Sequence, residues 1–263
     1  MIRAAGTNCD AELVRAFSMA GATTRLVHLD ALIEDPSPLE HVELIALPGG
    51  FSYGDDIASG RVFAAKVRAH LHHQLLAAVD RGACLLGVCN GFQVLVQLGL
   101  LPGLEGRAAN GPRPAVALVE NASGRFTDQW VRVRVDADSP CVWTRSWAAM
   151  ASRPQVSDLL QLPIAHGEGR LVCTDDDTLK RLLDAGCAPL LYIENPNGSA
   201  ADIAGLCDPS GRVFGLMPHP ERYIDWNRHP YWTRLSPEVR HADAPGLLCF
   251  KDAVAAVTAT SAV

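Results

Sequence analysis

Short apolar runs alternate with amphipathic stretches along the first half of the chain. The apolar runs have the length of buried strands, and they lie at Arg25 to His28, Leu44 to Leu47 and Cys84 to Val88. The amphipathic stretches, Ala11 to Gly21 and Val62 to Arg81, repeat their apolar residues at helical spacing. This alternation predicts an α/β fold with a doubly wound, mostly parallel sheet and right-handed crossovers.

The periodicity changes in the second half of the chain, where alternating apolar and polar positions predict further strands. These strands are expected at Val116 to Glu120, Trp130 to Val135, Leu171 to Cys173 and Leu190 to Ile193, and a short apolar run predicts one more at Arg212 to Leu216. The expected result is a flavodoxin-like sheet with a mixed antiparallel extension, in a single domain of residues 1–263. The core of this domain spans about residues 1–222, and a C-terminal extension covers about residues 223–263.

The sharpest local pattern surrounds Cys89. The predicted strand ends at this cysteine, Gly87 and Gly91 stand two residues away on either side, and a helical pattern runs from Asn90 to Leu98. This is the spacing of a nucleophile elbow, a tight turn that presents a nucleophile at the start of a helix. The free N–H groups and the dipole of that helix favour a thiolate. The alternative is a buried core cysteine, but the paired glycines favour a nucleophile.

A nucleophilic cysteine needs a base that is itself oriented. The sequence offers His219, which lies between Pro218 and Pro220 directly after an apolar strand. The prolines prevent a helix or a central strand there and hold the imidazole on an extended corner. Glu221 follows two residues later, on the same side of extended backbone. Its carboxylate can accept the Nδ1 proton of His219, which leaves Nε2 free to take the proton of the thiol.

An oxyanion site is predicted where the strand Leu44 to Leu47 ends in Gly49 and Gly50. A glycine turn exposes backbone N–H groups, and the N–H of Asn90 can supply a second donor. By itself this turn signals only a loop. Together with the cysteine and histidine segments it completes a site for acyl transfer.

Composition narrows the possible partners and the compartment. The 263 residues hold 23 Lys and Arg against 29 Asp and Glu, a net charge of −6, which argues against nucleic acid or a membrane surface as partner. The N-terminus shows no signal-peptide pattern and no apolar run is long enough to span a bilayer, so we expect a cytoplasmic location. Eight irregularly spaced cysteines fit reduced thiols, with neither a disulfide frame nor a metal site. Cys9 has no evident base nearby, and we interpret it as structural.

Together these segments resemble class I, triad-type glutamine amidotransferases, and more narrowly the glutaminase subunits of phosphoribosylformylglycinamidine synthase. The broader resemblance depends on Gly87 to Gln93 and on His219 to Glu221. The narrower one depends on blocks in the family's order that run from residue 6 to about residue 222. They are Gly6 to Asp10, Pro48 to Asp56, Pro163 to Arg170, Asn195 to Ser199, Asp202 to Gly205 and Met217 to Arg222.

The resemblance implies a glutaminase in which Cys89 attacks glutamine, His219 is the base and Glu221 orients it. It implies that ammonia passes to a large synthetase subunit, which uses ATP and Mg²⁺ to aminate formylglycinamide ribonucleotide, with a small accessory subunit as a further partner. The chain has no Gly-x4-Gly-Lys-Ser/Thr loop, so we expect it to hold no cofactor itself. Gln93 is expected to fix the α-amino acid end of glutamine.

The loop around His166, Glu168 and Arg170 is interpreted as a substrate lip or a subunit contact, and the alternative is a plain hairpin. Other readings of the whole chain are a different triad-type amidotransferase, a cysteine hydrolase of the same fold, or a regulatory subunit without catalysis. The Pro-His-Pro-Glu corner argues against the hydrolase. The intact Cys89, His219 and Glu221 argue against loss of catalysis.

Overall fold

The computed structural model describes residues 1–104, 115–153 and 157–261. Its strands are β1 (Ile2–Arg3), β2 (Val27–His28), β3 (Leu44–Leu47), β4 (Cys84–Val88), β5 (Val116–Val119), β6 (Thr127–Val135), β7 (Gln161–His166), β8 (Arg170–Cys173), β9 (Leu190–Tyr192), β10 (Ile203–Cys207) and β11 (Val213–Leu216). Its α-helices are α1 (Asp10–Met19), α2 (Leu29–Glu34), α3 (Arg61–His70), α4 (His72–Asp80), α5 (Asn90–Leu98), α6 (Arg145–Ala151), α7 (Asp176–Asp184), α8 (Pro237–His241) and α9 (Pro245–Ser261). Within these ranges no helix combines the length and the apolar character that a membrane span requires.

A seven-stranded mixed sheet in the order β3-β4-β11-β10-β9-β6-β7 organises the domain. Strands β3, β4 and β11 run parallel, and every later neighbour pairs antiparallel. The predicted α/β class with an antiparallel extension is confirmed, but the parallel part is smaller than the expected mostly parallel sheet. The physical reason is connection length. Only five residues, 208–212, join β10 to β11, and so short a link can join only antiparallel strands.

The stretch Val62 to Arg81, predicted as one helix, forms two. Helix α3 ends and α4 begins at Leu71, whose backbone φ of −129° is not helical. The side chain of Leu71 is fully buried, so the break directs an apolar residue inward. Helix α3 packs on α5, whereas α4 packs on the turn that holds Leu39. Neither glycine nor proline marks this break, and the different neighbours of the two halves account for it.

The C-terminal helix α9 lies within the extension predicted after residue 222, and it packs on α1, on α6 and on the 3-10 helix Pro220–Tyr223. The Phe250 ring meets that of Phe17 edge to face at 5.0 Å, and both side chains are buried. Asp252 accepts hydrogen bonds from the backbone N–H and the hydroxyl of Ser146. This helix therefore supports the backbone that directly follows the predicted base, His219.

Helix α5 approaches the sheet at a glycine. A Cβ atom added at Gly91 would overlap the carbonyl oxygen of Leu47, and one added at Gly87 would lie 2.6 Å from the carbonyl oxygen of Gly91. The first turn of α5 can therefore rest against the ends of β3 and β4 only because both residues lack a side chain. This close approach determines where Cys89 lies.

We expect Gly91→Ala to destabilise the protein more than Gly99→Ala at the other end of α5. Gly99 has a left-handed φ of 77° and open space around its Cα, so alanine there costs only about 1–2 kcal/mol of backbone strain. Gly91→Ala must displace the helix from Leu47, at about 1–3 kcal/mol for overpacking together with the loss of elbow geometry. Urea unfolding of the two variants tests this. Equal stability of the two variants would show that the contact is not rigid.

Candidate active site

The turn between β4 and α5 holds Cys89 in a strained backbone conformation. Its φ of 50° and ψ of −104° lie outside the regions that residues with a side chain normally adopt. The N–H of Cys89 still donates to the carbonyl oxygen of Leu216 at 2.8 Å, and its carbonyl oxygen accepts from the N–H of Gln93 at 3.1 Å. Strain that is held by such bonds is typical of functional positions. The strand, turn and helix have the bounds that the sequence predicted.

His219 and Glu221 form a buried pair beside this turn. Nδ1 of His219 lies 2.7 Å from Oε1 of Glu221, and each residue is only 2% exposed. The N–H of His219 donates to the carbonyl oxygen of Pro163 on β7 at 2.8 Å, which fixes the backbone of the corner. Because a carboxylate only accepts, the proton is assigned to Nδ1. Nε2 is buried and has no hydrogen-bond partner among the described residues.

The surroundings of His219 favour its charged form. Burial by itself lowers the pKa of His219, but the Glu221 carboxylate and the neighbouring Cys89 thiol raise it, and the net pKa lies well above the ordinary value for histidine. A histidine in this environment can retain a proton taken from a thiol. The Cys89 thiol itself donates a long contact of 3.8 Å to the carbonyl oxygen of Ala165.

The glycine turn after β3 lies directly against the cysteine and the histidine. A Cβ atom at Gly49 would lie 2.8 Å from Cε1 of His219 and 3.4 Å from Cβ of Cys89. The turn is tied to the N-terminal loop, because the carbonyl oxygen of Gly49 accepts from the N–H groups of Asn8 and Cys9. Gly50 has a φ of +136°, which glycine adopts without strain. This places peptide groups of the turn beside the side chain of Cys89.

A cleft of about 430 Å³, open to solvent, lies over Cys89. Predicted site residues among its lining are Cys89, His219, Gly50, Gln93, His166 and Glu168. Asn90 and Glu221 are buried behind them. Arg170 does not line the cleft, and its side chain packs near Gly198. The structure thus gathers all but one of the predicted residues at one place.

The amide of Gln93 is already engaged within the protein. Its Nε2 donates to the carbonyl oxygen of Glu168 at 2.6 Å, and its Oε1 accepts from Nδ2 of Asn90 at 3.0 Å. Asn90 in turn donates to Asp55 and accepts from the N–H of Ser52. These bonds connect the elbow helix to the loops on both sides of the cleft. The role predicted for Gln93 toward the end of the substrate stays a prediction.

Further cleft residues did not emerge as functional from the sequence. They are Asn8, Cys9, Phe51, Asp55, Ser59, Phe126, Ala165, Gly167 and Arg222. Burial raises the pKa of Asp55, although Ser59 and the Gly60 N–H oppose the rise by donating to its carboxylate. Glu168 adds negative charge nearby and accepts from the N–H of Ser59. One wall of the cleft is therefore acidic. The Pro48 to Asp56 block, on which the family resemblance depends, was the available signal for that wall.

The expectation that no base lies near Cys9 is wrong, because His219 is close to its sulfur, while the structural role of Cys9 stays a prediction. Its thiol lines the cleft, and Nη2 of Arg222 donates to the sulfur at 3.1 Å. The sulfur, a ring nitrogen of His219 and a carboxylate oxygen of Glu221 lie within 4.8 Å of one another. These atoms could hold a metal ion, but a metal ligated there would compete with the His219–Glu221 hydrogen bond. Cys9 lies 210 or more positions before His219, Glu221 and Arg222, so local sequence could not reveal the contact.

His166, at the end of β7, is 3% exposed and lines the same cleft. Its Nδ1 lies 3.1 Å from Oδ1 of Asn121. Burial and the nearby His219 lower the pKa of His166 to about 4. The ring is therefore neutral at physiological pH.

Over residues 1–256 the chain matches the sequence model of the CobB/CobQ-like glutamine amidotransferase domain family. The phosphoribosylformylglycinamidine synthase subunit PurQ of Dehalococcoides mccartyi is 40% identical over 261 residues, which cover 97% of this chain and 95% of the relative. The subunit of the same name from Cereibacter sphaeroides is 39% identical, with 84% and 86% covered. A chain in the structure of PurLQS from Thermotoga maritima superposes with a TM-score of 0.69 at 32% identity, covering 97% of this chain and 95% of that chain.

Stability should decrease in acid because of His166. The pKa of this ring is about 4 in the folded protein and 6.5 in an unperturbed chain. As the pH falls through this window, the unfolded chain takes up a proton that the folded protein does not. The free energy of unfolding therefore decreases, by about 3 kcal/mol over the whole interval between the two pKa values. Urea unfolding from pH 4 to pH 7 should show this slope in the wild type and a shallower one in His166→Gln. Identical slopes would contradict the buried neutral state.

Proposed function

The chain belongs to the family of CobB/CobQ-like glutamine amidotransferase domains, and on this premise we propose that it is the glutaminase subunit of a phosphoribosylformylglycinamidine synthase. In this role it hydrolyses glutamine to glutamate and ammonia. The ammonia then converts formylglycinamide ribonucleotide to formylglycinamidine ribonucleotide in purine biosynthesis. The two relatives that are 39–40% identical to this chain over the aligned residues carry that enzyme's name. The alignments cover at least 84% of this chain and at least 86% of each relative, which supports assigning the same function to this chain.

In the proposed reaction, Cys89 Sγ attacks the side-chain amide carbon of glutamine while His219 holds the thiol proton. His219 passes this proton to the amide nitrogen, the C–N bond breaks, and ammonia leaves a γ-glutamyl thioester behind. Water then gives a proton to His219 and attacks the thioester carbon. The C–S bond breaks, glutamate leaves, and the proton returns to the sulfur. Formation and hydrolysis of the thioester both use Cys89 and His219, and His219 moves protons in opposite senses in the two halves of the reaction.

The remaining groups stabilise these steps. Glu221 accepts the Nδ1 proton of His219 at 2.7 Å, which orients the ring and stabilises the imidazolium. The N–H groups at Gly49, Gly50 and Asn90 are the proposed donors to the oxyanion, each contributing about 3–4 kcal/mol in comparable sites. The single observation that carries the proposal is the strained Cys89 turn, at φ 50°, beside the buried His219–Glu221 pair.

The proposed partners follow from the fate of ammonia. A large synthetase subunit would receive it and would bind ATP and Mg²⁺, so this chain would need no cofactor of its own. A small accessory subunit would complete the assembly, which we place in the cytoplasm. The PurLQS structure from Thermotoga maritima contains the chain that superposes on this one. Phe51 and Phe126 line the cleft, are 48% and 54% exposed, and stack at 6.5 Å, so they are suited to contact a partner at the mouth.

We expect Cys89→Ala to abolish ammonia release from glutamine while the complex still aminates its nucleotide when ammonium salt is supplied. The substitution removes one sulfur atom and leaves the synthetase untouched. Cys84→Ala is the matched control, because Cys84 is buried in β4, the strand that leads to Cys89, and does not line the cleft. Coupled assays with glutamine and with ammonium chloride measure both reactions. Loss of the ammonium-driven reaction in Cys89→Ala would show that the chemistry is misplaced.

We also expect the free chain to be a poor glutaminase that the synthetase activates at least tenfold in kcat/KM. An uncoupled glutaminase would waste glutamine, and the Gly49–Gly50 turn can adopt more than one backbone state. A partner that binds only the productive state needs a few kcal/mol of differential binding to select it. The surfaces predicted for this contact are the 225–245 segment and the 166–170 loop. Glutamine hydrolysis is measured alone and during titration with synthetase. Equal kcat/KM values would contradict activation.

A further inference from the structure

His166 is a buried titratable group in the cleft that the proposed steps leave unused. Its Nε2 is buried and has no hydrogen-bond partner among the described residues, the same condition as Nε2 of His219. The charge of His219 acts on His166, and the carbonyl oxygen of the preceding residue, Ala165, is 3.8 Å from the Cys89 sulfur. An unsatisfied buried nitrogen at this place indicates a missing hydrogen-bond donor.

Asn121 determines which nitrogen of His166 carries the proton. The amide nitrogen of Asn121 donates to the carbonyl oxygens of Arg125 and His166, so its Oδ1 is an acceptor. That oxygen also accepts the N–H of Gly169 at 3.1 Å. The contact of 3.1 Å between Oδ1 and Nδ1 of His166 therefore needs a proton on Nδ1. Nε2 is then a lone pair that can only accept.

The ring is held in this orientation. A side chain at Gly169 would overlap it, so this glycine packs directly against the imidazole. Burial keeps the ring uncharged, with its pKa lowered to about 4. The lone pair on Nε2 is thus available throughout the physiological pH range.

We propose that Nε2 of His166 accepts a hydrogen bond from the side-chain amide nitrogen of bound glutamine, and so distinguishes glutamine from glutamate. This inference rests on the proposed glutaminase function. When the oxyanion donors bind the amide oxygen, the NH₂ group needs an acceptor. In glutamate a second carboxylate oxygen occupies that position and meets the lone pair. Sites built to bind an N–H group reject analogues without one because their own polar atom stays unpaired.

The same contact would also favour the reaction. His219 protonates the amide nitrogen as the C–N bond breaks, which makes the N–H bonds of the leaving group more acidic. A hydrogen bond from them to His166 becomes stronger as charge develops, and interactions that strengthen in the transition state raise the rate.

The test compares an amide with an ester in the complex with the synthetase. Glutamine offers an N–H donor, whereas the γ-methyl ester of glutamate does not, yet both need Cys89 and His219. The variants are His166→Leu, which removes the acceptor, and His166→Gln, whose side-chain oxygen can still accept. His72→Leu is the matched control, because His72 is also buried but lies on α4 outside the cleft. Thermal unfolding establishes that each variant is folded.

We expect kcat/KM for glutamine to fall tenfold to a hundredfold in His166→Leu, with less than a threefold change for the ester. His166→Gln should recover most of the loss, and the inhibition constant for glutamate should fall at least threefold in His166→Leu. An equal loss for amide and ester would overturn the proposal and show a structural role, as would an unchanged constant for glutamate. If the wild-type complex releases no ammonia from glutamine, the proposed function itself fails, which is a separate result.

Discussion

The backbone at Cys89 is the constraint on which the rest of the site depends. A cysteine with φ 50° is held there by the ladder bond to Leu216 and by the helix that begins at the next residue. The strain persists because Gly87 and Gly91 let strand and helix approach more closely than side chains would permit. The sulfur therefore projects at the carboxyl ends of β3, β4 and β11, where ligands of such sheets bind.

The antiparallel half of the sheet contributes residues to the same cleft as the parallel half. Strand β7 lies at the far edge in sheet order, yet its residues reach Cys89 and His219. The carbonyl oxygen of Pro163 accepts the N–H of His219, and that of Ala165 faces the sulfur. His166 then brings a neutral imidazole to the same cleft. His219 is thus supported by a strand from the antiparallel part of the sheet.

Most polar atoms around the cleft are hydrogen-bonded to one another, so the buried polar atoms without a partner mark places where a ligand can bind. Asn90, Gln93 and Asp55 form a connected network that includes the backbone of Glu168. By contrast, the Nε2 atoms of His219 and His166 are buried without a partner among the described residues. Burying such an atom costs about 1–3 kcal/mol, so its persistence at two adjacent histidines is consistent with a bound substrate supplying the missing contacts.

Local sequence determined the elements and the chemistry that a few neighbouring residues can specify. Apolar runs and paired glycines were enough for the bounds of β3, β4 and α5, because strand, turn and helix propensities act over a handful of residues. The separation of His219 and Glu221 by one proline likewise placed them as a hydrogen-bonded pair. At these positions the local sequence preference agrees with the tertiary structure, as it does in sequences that fold well.

Contacts between residues that lie far apart in the chain were decided by the tertiary structure alone. The break at Leu71 arises because α3 and α4 pack against different neighbours, and no glycine or proline marks it. Cys9 meets Arg222 across 213 residues, and His166 meets the cleft only after β7 has paired with β6. Arg170, two residues after Glu168, begins β8, and its side chain packs near Gly198 and not in the cleft. Which side chains share a cleft depends on pairing order and packing, and a local pattern carries no information about either.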